Sequence, residues 1–281
     1  VILVGTWPYL HKDVTLAALK AGKHVLCESR MALNAAHAHT MLKAAKEAKK
    51  KHGLVSMLCP PPTGFRGDYV MKDLVASGFL GTPFQLYVRQ MGGGLADPHA
   101  PLYWRQQLKY QGLNALTLGM LNEPVERWFG ATTRVLAMTH IFTKKRPLAA
   151  GSAKLGSVER PDSIGVLAEM KNGMRATYMF SGVAVGNDSD VVEAFGSGGM
   201  LRYDLKTNRI FTRKASEQEL KEVPVPDEKA RTWRVVAEFT AAIREGQPVS
   251  PSFAEGVRFM EFTEAVERSA KSGKAVKLPL K

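Results

Sequence analysis

The sequence predicts an α/β fold: the C-terminal part of a Rossmann-type parallel sheet, followed by an α+β domain on a mainly antiparallel open sheet. Three observations lead there. Apolar strands and helical stretches alternate at short spacing through the first 59 residues, strand-like runs then accumulate between 134 and 203, and two of those runs are separated only by Lys171-Asn172-Gly173. Alternation marks parallel crossover units, and Asn-Gly between apolar runs is the strongest short-range hairpin signal. At 281 residues and 45% hydrophobic content, the chain can bury a full core. It is divided here into a partial dinucleotide-binding domain at 1–62 and a substrate-binding and dimerisation domain at 63–281.

The elements follow in order. Val1-Ile2-Leu3-Val4 reads as a buried strand with which the chain opens abruptly, the expectation for a sequence truncated at its start. Helical spacing predicts a helix over 14–20 closed by Gly22, a strand over 24–27, a helix over 34–51 and a strand over 54–59. In such units ligands bind beyond the carboxyl ends of the strands, so the loops 5–11 and 28–33 are the first places to look for function. Pro60-Pro61-Pro62 marks a stiff break, followed by a helix over 69–77 and a strand over 84–91. Strands are predicted at 134–142, 164–170, 174–185, 191–195 and 200–203. Two amphipathic helices close the chain, at 232–244 and from Phe253 to about 270, the second expected to pack back on the first domain.

The formal net charge of +13 raises the question of nucleic acid. Lys and Arg are spread along the whole chain, and the dense run Lys49-Lys50-Lys51 ends a helix, where cations favour the dipole. Without a zinc, helix-turn-helix or RNA-binding signature, an anionic cofactor or substrate accounts better for the excess. No run approaches the roughly 20 apolar residues of a membrane span. Cys27 and Cys59 follow apolar residues, as buried thiols of a reducing compartment would, and the cytoplasm is the expected location. The histidines show no metal-ligand spacing, so no metal is expected.

Residues 1–11, VILVGTWPYLH, followed by Ala21-Gly22-Lys23-His24-Val25-Leu26-Cys27-Glu28, resemble the glucose-fructose oxidoreductase and inositol dehydrogenase family (Gfo/Idh/MocA). The likeness continues through Trp104-Arg105, a glycine-bearing helix over 112–128, Phe195-Gly196-Ser197-Gly198-Gly199-Met200-Leu201 and 253–280. It implies NAD or NADP as cofactor, a sugar or cyclic polyol as substrate, and hydride transfer between them. The family's G-x-G-x-x-G loop is not in this sequence, and Gly92-Gly93-Gly94 leads into Asp97-Pro98, as a turn does.

The resemblance also distributes roles. Thr6-Trp7-Pro8-Tyr9-Leu10-His11 matches a Thr-Pro-x-x-x-His pattern with the proline displaced by one, so Thr6, Trp7 and His11 are expected near the cofactor. A turn in which His11 only caps the next helix is the alternative. Glu28-Ser29-Arg30 matches Glu-Lys-Pro: Glu28 is kept, Ser29 replaces the cationic lysine, and Arg30 brings a permanent charge suited to an anionic group. An exposed surface arginine is the alternative. Trp104 and Arg105 match a pair near nicotinamide and substrate, with a purely structural cation and aromatic pair as the alternative. Asp-x-Gly-x-His becomes Thr117-Leu118-Gly119-Met120-Leu121, in which neither replacement can shuttle a proton. Glu123, expected near a helix break at Pro124, is then the candidate base, with Asn114 and Asn122 as hydroxyl binders; a Glu123 that only serves a helix start at Pro124 is the alternative. The same residues leave three readings open: a dehydrogenase, an enzyme that cleaves glycosides by oxidation and elimination, and a catalytically silent binding protein. An open antiparallel sheet would suit a homo-oligomer.

Overall fold

The computed structural model describes residues 1–59, 65–187 and 190–280; the break expected at Pro60–Pro62 lies outside them. The first unit runs β1 (Ile2–Val4), α1 (Pro8–Lys20), β2 (Val25–Cys27), α2 (Ala35–His52) and β3 (Ser56–Leu58). The strands form one parallel sheet in the order β1-β2-β3. α1 starts six residues earlier than the hydrophobic spacing indicated. Pro8 occupies the first turn, where its fixed φ suits a helix and its missing N–H costs nothing. α2 begins at an Asn34 cap whose side chain accepts from the His37 amide at 2.8 Å, and it ends at Gly53 in the left-handed region.

The second unit runs α3 (Asp68–Ala76), β4 (Pro83–Met91), α4 (Leu108–Gln111), α5 (Leu118–Phe129), β5 (Thr132–His140), β6 (Lys145–Pro147), β7 (Leu155–Ser157), β8 (Ser163–Met170) and β9 (Arg175–Ser181). It continues with β10 (Val191–Gly196), β11 (Gly199–Asp204), β12 (Arg209–Lys214), β13 (Lys221–Val223), α6 (Val235–Glu245), α7 (Phe253–Ser272) and β14 (Val276–Lys277). Nine strands form an open sheet in the order β13-β12-β11-β10-β4-β9-β8-β5-β14, antiparallel except for the β4–β9 pair. The Asn172-Gly173 hairpin joins β8 to β9, with Gly173 at φ 88° and the Asn172 side chain accepting from the Met174 amide at 3.1 Å.

One face of this sheet is covered by α3, α5 and α7, where Leu86, Val135, Val166, Tyr178 and Leu201 bury against Leu118, Val125 and Phe262. The other face stays open, with Leu136, Met138, Leu167 and Met179 exposed. The sequence reading needs three corrections here. The strand expected over 174–185 stops at Ser181, β12 and β13 extend the sheet beyond Tyr203, and the helix expected from Gly112 begins at Leu118.

α7 belongs to both cores. Phe253, Val257 and Met260 pack with Val4, Met31 and Leu58 of the first unit, whereas Phe262, Ala265 and Val266 pack under the large sheet. The Leu58 amide donates to the Pro251 carbonyl at 2.9 Å, and the Ala35 amide donates to Glu264 at 2.9 Å. Gly256 lets the helix lie this close, since a Cβ there would meet Met31 Sδ at 2.6 Å. The strand-end loops of the first unit are thereby held against the second.

Candidate active site

The loops beyond β1 and β2 are clasped together by His11. Its ring is buried: Nε2 lies 2.8 Å from the Thr6 carbonyl oxygen, and Nδ1 lies 3.0 and 3.2 Å from those of Arg30 and Met31. Burial holds this histidine below its ordinary pKa, opposed by those carbonyl contacts and the Glu28 carboxylate. His11 sits inside α1, so it does more than cap the helix. It fixes the distance between the two loops that carry Thr6, Trp7, Glu28, Ser29 and Arg30.

An aromatic wall joins these loops to the second unit. Trp7 is stacked on Trp104 at 4.8 Å with 9° between the planes, and Tyr110 meets Trp7 edge-on at 5.0 Å. The Arg105 guanidinium lies 4.3 Å above the Trp104 ring, and its Nε donates to the Tyr103 hydroxyl at 3.3 Å. Thr6 is exposed, its hydroxyl bonded only to the next carbonyl at 3.3 Å. The Trp7–Trp104 stack thus brings the Thr6–Trp7 loop of the first unit to the Trp104–Arg105 segment of the second. Tyr9, Tyr103 and Tyr110 complete the wall, although sequence reasoning passed over them; their closeness to Trp7 and Trp104 in the chain was the available signal.

Arg30 is only 5% exposed, which removes the surface alternative. One of its Nη groups donates to the carbonyl of Leu116, a leucine held at φ 46°, where an L residue costs about 1 kcal/mol or more. Its Nε is buried without a hydrogen-bond partner among the described residues. Burial, with the like charge of Arg105, lowers its pKa to about 9. The Ser29 hydroxyl donates to the Cys59 carbonyl, so it is engaged in holding β3. The Cys59 thiol is pushed up to about 12 by burial and by Glu28, and burial also raises Cys27; neither is a ready nucleophile.

Glu123 is 6% exposed and ion-paired with Arg127 one turn along α5. Burial raises its carboxyl to about 7 against the pull of Arg127 and Arg231, and its Oε2 has no partner among the described residues. It borders a gap of about 10 Å³ with Ser29, Arg30, Gly119, Met120, Pro251 and Phe259, room for one water. No helix break turns it outward: α5 runs through Pro124, and its fixation comes instead from Asp68, which is buried between Arg127, Arg231 and the Trp128 indole N–H. This cluster escaped sequence reasoning because its members are far apart in the chain.

Asn114 and Asn122 do not reach the cleft as hydroxyl binders. The Asn114 amide nitrogen donates to Ala32 at 2.9 Å and Gln111 at 2.8 Å, pinning the 28–33 loop. Asn122 is fully buried beside Tyr178 in the core of the large sheet. Thr117 donates to Gln90, and Leu121 is buried, so no other acid stands at those two positions. Among the described residues no three His, Cys, Asp or Glu are grouped to hold a metal.

Two family profiles match this chain: the oxidoreductase family with an NAD-binding Rossmann fold over residues 1–55, and the Gfo/Idh/MocA C-terminal domain over residues 70–202. The chain belongs to the Gfo/Idh/MocA oxidoreductase family. Levoglucosan dehydrogenase of Pseudarthrobacter phenanthrenivorans is 23% identical over 99% of this chain and 80% of its own. Inositol 2-dehydrogenase of Azotobacter vinelandii is 30% identical over 35% of this chain and 28% of its own. An oxidoreductase domain protein from Kribbella flavida superposes with a TM-score of 0.87 at 26% identity, over 99% of this chain and 80% of that one. Levoglucosan dehydrogenase in complex with NADH and L-sorbose superposes at 0.85 and 23% identity, with 99% and 79% covered. These likenesses bear out the family and the α/β fold read from the sequence. Among the described residues, no helix is long and apolar enough to cross a membrane.

Proposed function

We propose that this member of the family is an NAD-dependent oxidoreductase of a sugar or cyclic polyol, with its site between the strand-end loops and the aromatic wall. The observation that carries the reading is that wall meeting the carboxyl ends of a parallel sheet: Trp7, exposed and backed by Trp104, offers flat apolar surface beside the exposed Thr6 hydroxyl. These residues fit the nicotinamide-ribose half of the cofactor. A pyrophosphate cradle has no counterpart among them, since the 281 residues contain no G-x-G-x-x-G. When bound, the cofactor would supply the redox chemistry.

The chain's own residues do the rest. Thr6, Trp7 and Glu28 hold the cofactor, and His11 sets the spacing of their loops. The exposed Tyr103 receives an apolar sugar face, while Trp104 beside it is covered by Trp7 and Arg105. Arg30 provides positive charge on the substrate side of the site, where Ser29 has none to offer. Glu123, raised to about 7, takes the substrate proton through one water in the gap it shares with Ser29 and Arg30. A second copy of the chain is proposed to cover the open sheet face around Leu136, Met138, Leu167 and Met179.

A catalytically silent binding protein is the second reading, favoured by Thr117 and Leu121, which cannot shuttle protons. Incubation with millimolar NAD and a panel of sugars, polyols and glycosides separates these readings. Sugar-dependent absorbance at 340 nm supports the dehydrogenase, cleaved product without net NADH points to oxidation and elimination, and binding without either establishes the silent protein and overturns the proposal.

A further inference from the structure

Among the groups lining the cleft, one charge is unanswered. Arg30 is buried, its Nε lacks any hydrogen-bond partner, and it makes no ion pair among the described residues. The charged side chain acting on it is another cation, Arg105, which has no carboxylate partner among the described residues and rests on Trp104 and the Tyr103 hydroxyl. Elsewhere in the molecule, charges buried to this degree are answered: Asp68 has two arginines, and Arg160 has Glu267 at 2.8 Å. Arg146, Asp162 and Asp190 have no counter-charge among the described residues either, but three backbone carbonyls surround Arg146, those of Leu95, Asp97 and Ala100, and the two carboxylates accept from the amides of Phe142, Thr143 and Met91. Taking a guanidinium out of water without an anion is unfavourable, and placing a second one beside it adds repulsion.

We propose that the substrate carries an oxyanion, a carboxylate or a phosphate, which is received between Arg30 and Arg105. This deepens the oxidoreductase reading of the same cleft and rests on it. The sugar ring lies against the exposed Tyr103 beside Trp104 and its anionic substituent turns toward the two guanidinium groups, whose planar donors match an oxyanion with paired hydrogen bonds. The Leu116 carbonyl holds the Arg30 head in place from behind, at the cost of its own left-handed backbone.

The test is calorimetric binding at millimolar NAD with matched probes: glucose, glucuronate and glucose 6-phosphate, then galactose and galacturonate. Charge-assisted hydrogen bonds predict that an anionic probe binds on the order of 10- to 100-fold more tightly than its neutral partner. Preference for the uronates identifies a carboxylate, and preference for the 6-phosphate identifies a phosphate. Arg30→Met removes the preference and Arg30→Lys keeps part of it. Because Arg30 is buried and its variants could unfold, Arg105→Met at a half-buried position serves as the second probe, expected to weaken the preference several-fold with an unchanged melting midpoint. Equal affinity for neutral and anionic probes, or a preference that survives both methionine variants, overturns the proposal. Equal binding accompanied by NADH formation removes only the anion site. Tight binding of an anion without NADH formation supports the anion site and removes the oxidoreductase reading.

Discussion

His11 is the residue whose loss the structure prices most directly. Replacing it by Phe keeps a flat ring of similar volume inside the clasp but removes every polar contact. The ring nitrogens lie 2.8 Å from the Thr6 carbonyl oxygen and 3.0 and 3.2 Å from those of Arg30 and Met31, and the single N–H of the neutral ring, placed on Nδ1, donates to the Arg30 and Met31 side. One net hydrogen bond is worth about 1 kcal/mol, and a buried carbonyl left unsatisfied costs about 1–3 kcal/mol. Thr6 is exposed and can turn to water, whereas Arg30 and Met31 are buried. The expected loss is therefore about 2–4 kcal/mol, read as a lower urea midpoint at unchanged slope. The pH dependence gives a second signature. Burial holds the His11 pKa below 6.5, so the unfolded chain takes up the proton more readily than the folded one. His11 thus lowers stability as pH falls through 6.5 toward the folded-state value, and His11→Phe flattens that slope. A loss under about 0.5 kcal/mol, with the acid slope intact, would refute the clasp.

Further outcomes follow from other parts of the structure. Glu123→Gln should cut kcat by at least 100-fold, on the order expected for a lost general base. With Glu123 raised to about 7, the wild-type rate should climb as pH rises through that value and the carboxylate forms; a flat profile there would exclude it. Asp68→Asn leaves Arg127 and Arg231 without their shared carboxylate and should cost about 3–5 kcal/mol by denaturant titration. Leu167→Lys, on the open face of the large sheet, should shift the light-scattering mass from dimer to monomer with little change in melting point. The 281-residue chain, having no glycine-rich phosphate loop, should bind NAD weakly; a calorimetric dissociation constant below about 1 µM would contradict this.

The parts of the fold legible in the sequence were those where one periodicity dominates. In β5, β8 and β9 buried and exposed residues alternate, as in Val135, Leu136, Ala137 and Met138, and the Asn-Gly turn fixes their order. β12 escaped because Arg209, Arg213 and Lys214 sit at its ends and obscure the apolar signal of Ile210 and Phe211. Pro124 suggested a break that tertiary packing overrides: α5 carries it with Val125 and Leu121 buried on either side.

The site divides in the same way. Thr6, Trp7 and the Glu28–Arg30 segment lie directly at strand ends, where topology concentrates ligands, so position alone singled them out. The burial of Arg30 was not readable, since it depends on Leu116 and on the approach of α5. Asn114 and Asn122 have the composition of sugar binders, yet their amides are used inside the protein. Nothing local in the sequence distinguishes an amide that pins a loop from one that meets a ligand.

A crystal structure with NAD and a uronate bound would test the central claim most directly. The expected result is the nicotinamide ring beside Thr6 and Trp7, the sugar against Tyr103 of the aromatic wall, and its carboxylate between Arg30 and Arg105. Cofactor seated away from the β1 and β2 strand ends, or a sugar bound outside the aromatic wall, would contradict it.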